Sequence, residues 1–108
     1  MLSEQDQQLL AQAQMYQQQL QMLASQKENI NMQLVEMKKA QEELEKNKEN
    51  ELFKVVGPLL IKTDNVSMRK ELAEKKDVLE LRLKTLDKNE KKLQITFEEL
   101  REKLSKKL

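Results

Sequence analysis

The sequence predicts a mainly α protein: a long antiparallel two-helix coiled coil with a central β-hairpin that joins an oligomeric β-barrel. Three observations predict it. Leucine-class residues recur at every seventh position along two segments that lack Gly and Pro. Between them lies a β-rich stretch in which the only Gly and the only Pro of the chain stand side by side. The two long segments also carry opposite net charge, so each is a natural partner for the other.

The whole chain, 1–108, reads as a single domain, with an N-terminal coiled-coil helix over 3–45, a linker and β-hairpin over 46–65, and a C-terminal coiled-coil helix over 66–108. The first segment is rich in Leu, Gln, Glu, Lys and Met, which lose little side-chain entropy in a helix. Leu2, Leu9, Tyr16, Leu23, Ile30, Met37 and Leu44 form its seven-residue series, with Ala13, Leu20 and Leu34 four residues after Leu9, Tyr16 and Ile30. That is the seam of a coiled coil. Ser3 and Asp6 have the spacing of a capping box at its start. At about 43 residues the helix would be roughly 65 Å long.

The middle segment breaks the seven-residue pattern. Leu52, Phe53, Val55, Val56, Leu59, Leu60 and Ile61 flank Gly57 and Pro58 within ten residues, a composition that favours strands around a turn. Pro58 removes a backbone donor and forces Gly57 into an extended conformation, so strand pairing must stop or bend there. The third segment restores the heptad with Leu72, Leu79, Leu86, Leu93 and Leu100, and with Leu83, Phe97 and Leu104 as companions. Asp64 or Ser67 is positioned to cap it.

Charge sets the direction of pairing. Residues 1–45 carry three positive and seven negative side chains, whereas residues 66–108 carry thirteen positive and nine negative. A short hairpin between them folds the second helix back along the first. Four seam positions are polar: Lys27 and Gln41 on one helix, Lys76 and Glu90 on the other. Lys27 and Glu90 stand about equally far from the hairpin and are expected to face each other and fix register.

Composition excludes much chemistry. With no His and no Cys the chain lacks the commonest general base, the commonest metal ligand and any thiolate. The serines and threonines have no activating partner, no Gly-rich loop can cradle a phosphate, and the carboxylates are spread over helix faces, so an enzyme is not expected and no cofactor or metal is implied. Gln7–Gln26 is a twenty-residue run without formal charge, yet nine of these residues are glutamines, which rules out a membrane span. The start of the chain has no basic, apolar targeting pattern, so the expected location is cytoplasmic. Lys103, Lys106 and Lys107 are interspersed with Leu104 and Leu108, and acidic residues at Glu71, Glu74, Asp77 and Glu80 break any basic stripe, so nucleic acid is not an expected partner.

An isolated two-stranded hairpin is marginal in water, and this one places seven large apolar residues in ten positions. Its open edges are templates for further strands, and several such hairpins closed into a barrel would satisfy the backbone and bury the apolar faces. The reading from the residues is therefore an oligomer centred on a β-barrel, with coiled-coil arms.

At this point the chain resembles a known family. A Gln-rich helix, then Phe53-Lys54-Val55-Val56-Gly57-Pro58-Leu59-Leu60-Ile61-Lys62, then a Lys/Glu/Leu helix, looks like a prefoldin β-class subunit, similar to archaeal prefoldin β and to eukaryotic prefoldin subunit 6. The resemblance spans essentially the whole chain and is most specific at the hairpin. It implies a hexamer of two α-class and four β-class subunits, with α-class subunits and further β-class copies as partners. It also implies ATP-independent holding of non-native client proteins at the arm tips and delivery to a group II chaperonin. The candidate client surface combines Leu10, Met15, Met22, Ile95 and Leu108, which lie outside the seam, with Leu2, Leu9, Leu100 and Leu104, whose packing loosens towards the helix ends. Methionine adapts to many partners, and the surrounding glutamines set no charge preference. The rival reading is a structural coiled-coil tether without chaperone activity, which leaves the hairpin unexplained.

Overall fold

The computed structural model describes residues 2–48 and 51–107. The element order is α1 (Glu4–Lys46), β1 (Leu52–Val56), β2 (Leu59–Thr63) and α2 (Asn65–Lys107). Two compact units divide the chain. A terminal unit combines Met1–Asn29 with Leu83–Leu108, and a hairpin unit comprises Ile30–Arg82.

Local chemistry sets the helix ends. Ser3 and Asp6 form the reciprocal capping box at the start of α1: the Ser3 hydroxyl accepts the Asp6 N–H at 3.1 Å, and the Asp6 carboxylate accepts the Ser3 N–H at 3.3 Å. Asp64, rather than Ser67, caps α2. Its carboxylate accepts both the Ser67 N–H at 2.7 Å and the Ser67 hydroxyl at 3.0 Å, which satisfies a donor that the helix itself cannot. At the other end of α1, the side-chain amide of Asn47 donates to the Glu43 carbonyl at 3.1 Å.

In the terminal unit the seam follows the heptads. Ala13 of α1 and Leu100 and Leu104 of α2 are buried together, with Leu9, Tyr16 and Phe97 packed against them. Residues low in number on α1 meet residues high in number on α2, which is the antiparallel arrangement. Asp6 accordingly pairs with Lys107 at 2.7 Å. In the hairpin unit Ile30, Leu44, Leu72 and Leu79 are the buried apolar residues. There the side-chain amide of Asn65 donates to the Leu44 carbonyl at 2.8 Å, joining the start of α2 to a carbonyl near the end of α1. Lys76 does not enter the seam: it is exposed and lies 4.0 Å from Glu80, one turn along the same helix. Its long stem lets the ammonium stay in water.

The hairpin pairs Leu52 with Thr63, Phe53 with Lys62, Lys54 with Ile61, Val55 with Leu60 and Val56 with Leu59. The two-residue loop corrects the expectation of an extended Gly57, which instead adopts a φ of +58°. Right-twisted strands joined by two residues need a primed turn. Pro58 cannot take the positive φ that type I′ would require of it, so the positive φ falls on Gly57 alone, the pattern of type II′. Only glycine takes that conformation without backbone strain.

Candidate functional site

The hairpin gathers exposed apolar side chains on both of its faces. One face presents Phe53, Val55 and Leu60, of which Val55 and Leu60 are 74% and 72% exposed. Val56, Leu59 and Ile61 on the other face are also open, and Gly57 and Pro58 form the exposed tip. Leu52 differs from the other apolar residues of the hairpin. It is half-buried at the strand end, opposite Thr63, next to the point where β2 runs into α2. Among the described residues the sheet has two strands only, so each strand keeps one edge unpaired.

One ion pair ties the hairpin to its helix. Lys54 of β1 reaches Glu71 of α2 at 3.4 Å, and Lys75 approaches the same carboxylate at 3.5 Å. The charge of Lys54, followed by its hydrogen bond and the charge of Lys75, holds the Glu71 carboxyl below its ordinary value.

In the terminal unit the expected pairing of Lys27 with Glu90 is present at 3.0 Å, and Asp87 stands closer still at 2.6 Å. Hydrogen bonds to Asp87 first and Glu90 second push the Lys27 ammonium above its ordinary value. Sequence reasoning missed Asp87 because it looked for partners at seam positions only. Asp87 lies three residues before Glu90, one helical turn away, which brings both carboxylates to one ammonium. Asp6 is held below its ordinary value, chiefly by its hydrogen bond from Lys107 and then by those from Ser3.

The proposed client residues separate into distinct settings. Leu100 and Leu104 are buried and Leu9 packs against them, so these three belong to the closed seam of the terminal unit, while Leu2 is half-buried. Leu108 lies outside the described residues. Leu10, Met15, Met22 and Ile95 are exposed. They do not form one patch: Leu10 and Met15 are about 140° apart around α1, and Ile95 sits in a shallow depression with Glu98, Glu99 and Glu102.

Met22 opens onto a groove of about 530 Å³ between α1 and α2 within the terminal unit. Half-buried Tyr16, Leu23 and Leu93 form its base, and Gln19, Gln26 and Asn89 bring side-chain amides to its rim. Lys92 and Thr96 complete the α2 wall. The Tyr16 hydroxyl accepts the side-chain amide of Gln12 at 3.0 Å. The groove was not anticipated, although Met15, Gln19, Met22 and Gln26 recur at three- and four-residue steps, the periodicity of one helix face. Further exposed apolar residues, Met32, Val35, Val78 and Leu81, lie in the hairpin unit. No helix among the described residues is long and apolar enough to cross a membrane.

A family model described as "Prefoldin subunit" matches residues 7–108. The prefoldin subunit beta of Thermococcus onnurineus is 44% identical over 97 residues, covering 89% of this chain and 84% of the relative. That of Archaeoglobus fulgidus is 41% identical over 104 residues, covering 95% and 90%. Among solved structures, the crystal structure of the prefoldin beta subunit from Thermococcus strain KS-1 superposes with a TM-score of 0.88 at 38% identity, covering the whole of this chain and 96% of that one.

Proposed function

The chain belongs to the prefoldin family as a β-type subunit, and from that premise we propose that it acts as an ATP-independent holding subunit that captures non-native proteins and delivers them to a group II chaperonin. The family is one of chaperones that work in complexes. In the form proposed here four copies of this chain join two α-class subunits through their hairpins, in the cytoplasm, without cofactor, nucleic acid or membrane.

What supports this reading above all is the hairpin. Leu59 and Leu60 on opposite faces are both open to solvent, and no other strand covers either edge among the described residues. Such a hairpin is stable only when other strands add to its edges and other side chains cover its faces, which a closed barrel of hairpins provides. For client capture, exposed Leu10, Met15, Met22 and Ile95 are the first contacts, with Leu108 as a further candidate outside the heptad series, and Leu2, Leu9, Leu100 and Leu104 join as the ends of the seam open. Weak contacts from several subunits add through effective concentration, so no single tight site is required.

Native mass spectrometry of the tagged chain from its own cell lysate tests the assembly. Four copies with two of a longer partner is the expected result; a lone monomer or a bare dimer would favour the tether. Removal of residues 1–10 and 101–108 should leave the assembly intact and abolish ATP-independent suppression of aggregation of a denatured client. Full suppression by the truncated form would place the client surface elsewhere.

A further inference from the structure

The groove of the terminal unit has an uneven charge. Across it, α1 contributes only uncharged side chains, since Gln7–Gln26 carries no formal charge. The α2 wall contributes Lys92, the one charged residue of the lining. Lys92 has no acidic neighbour on its own helix: the positions three and four residues away are Lys88, Asn89, Ile95 and Thr96. Nearby Asp87 and Glu90 are both engaged by Lys27. Among the described residues, no carboxylate lies within ion-pairing distance of the Lys92 ammonium, and Lys88 one turn away adds to the same positive field.

Beside this free cation the groove is apolar at its base, through Tyr16, Leu23 and Leu93, and is flanked by Met22, which is 62% exposed. A volume of about 530 Å³ is in the range of sites that take one or two large side chains. Met15 continues the column of Met22 one heptad along α1, about 10.5 Å away, which suits a second apolar anchor seven residues on in a helical segment or three on in an extended one.

We propose that this groove is the docking site for one class of client segment: an apolar stretch whose large aliphatic or aromatic anchor is followed within a few residues by Asp or Glu. The anchor seats on Tyr16, Leu23, Leu93 and Met22, and the carboxylate pairs with Lys92. The rim amides accept the peptide backbone in either direction and add no charge selection of their own. Selection against basic segments follows from the same geometry, because a second cation at the groove would stand beside the like charges of Lys92 and Lys88.

This inference rests on the chaperone reading, and the test separates the two. Two fluorescent 15-residue peptides with identical apolar anchors, one flanked by Glu and one by Lys, are titrated into the assembled full-length chain at low salt, with binding read by anisotropy. The acidic peptide should bind about fivefold more tightly, the order expected of one partly exposed ion pair. Lys92→Glu should reverse the order, Asn89→Asp, which supplies an internal partner for Lys92, should erase it, and Met22→Gln should weaken both peptides. All three positions are exposed, and circular dichroism checks that each variant keeps its helix. Equal binding of the two peptides, or unchanged preference in both charge variants, would overturn the groove assignment while aggregation suppression by the wild type keeps the chaperone reading. Absence of suppression by the wild type would overturn both. A change in copy number caused by Met22→Gln or Lys92→Glu would make the groove a contact between subunits and overturn the client assignment.

Discussion

The seam of the terminal unit and the hairpin use the same kinds of side chain to opposite ends. In the seam, Ala13, Leu100 and Leu104 are no more than 8% exposed, because the heptad of one helix meets the heptad of the other on the same chain. In the hairpin, Val55 and Leu60 are more than 70% exposed, although they stand directly opposite each other in the ladder. A helix buries one stripe, and one partner helix is enough to cover it. A two-stranded sheet has two faces and two edges, and pairing its strands covers neither face. The chain thus completes its helical packing by itself and leaves its sheet incomplete, which is how a subunit carries an unfilled demand for other subunits.

The largest test of this contrast is Leu60→Asp. Placing a charge on the open face should abolish the multi-chain species in native mass spectrometry while the helical signal persists, because no seam contact is touched. Leu100→Ala should do the reverse. It removes a buried side chain at a cost of about 2–4 kcal/mol, which lowers the melting temperature by about 10 °C or more while the copy number is retained. Should Leu60→Asp leave assembly untouched, the hairpin would lose its role as the joining element.

Gly57→Ala comes next in size. The φ of +58° puts any side chain in the left-handed region, at a cost of about 1–2 kcal/mol. No atom lies within 4 Å of the added Cβ, so the cost is backbone strain alone. It should appear as weaker assembly and a modest fall in melting temperature, both larger than for Lys62→Ala on the same hairpin, whose exposed pair with Glu51 contributes little.

How legible these features were in the sequence follows from their physics. The seam could be read because a seven-residue repeat specifies both which residues are buried and what buries them, and Ile30, Leu44, Leu72, Leu79, Leu100 and Leu104 all lie on it. The hairpin and its turn position could be read from Gly57-Pro58, but the sign of the Gly57 φ could not. The preference of a residue before proline pointed to an extended form, and the twist demanded by a two-residue loop overrode it. The pairing of Lys27 with Glu90 was accessible from equal distance to the turn. Asp87, the contact of Asn65 with the Leu44 carbonyl and the Met22 groove were not, since each depends on how far α1 and α2 rotate about their own axes, which the heptad fixes only approximately.

The smallest expected effects are those of pH, and they distinguish the two units by sign. Asp6 in the terminal unit and Glu71 in the hairpin unit are both held below their ordinary values of 3.8 and 4.5. Their contributions are present above those values and fade as pH falls through the lower folded values. Lys27 is raised above 10.5, so its contribution is complete below that pH and is lost as pH climbs through the folded value. Acid should therefore loosen ion pairs in both units, whereas the alkaline loss through Lys27 belongs to the terminal unit. Melting temperature between pH 5 and pH 10 should be nearly flat with respect to these groups. Above that range the wild type should decline more steeply than Lys27→Arg, in which the charge persists. Swapping Lys27 and Glu90 together should cost less than reversing either one alone, because a single reversal sets like charges against each other in a half-buried seam. With Asp87 also on Lys27, reversing Lys27 should be the worse single change, since it places three carboxylates together, and equal losses from the two single reversals would mean that Asp87 adds nothing to the register.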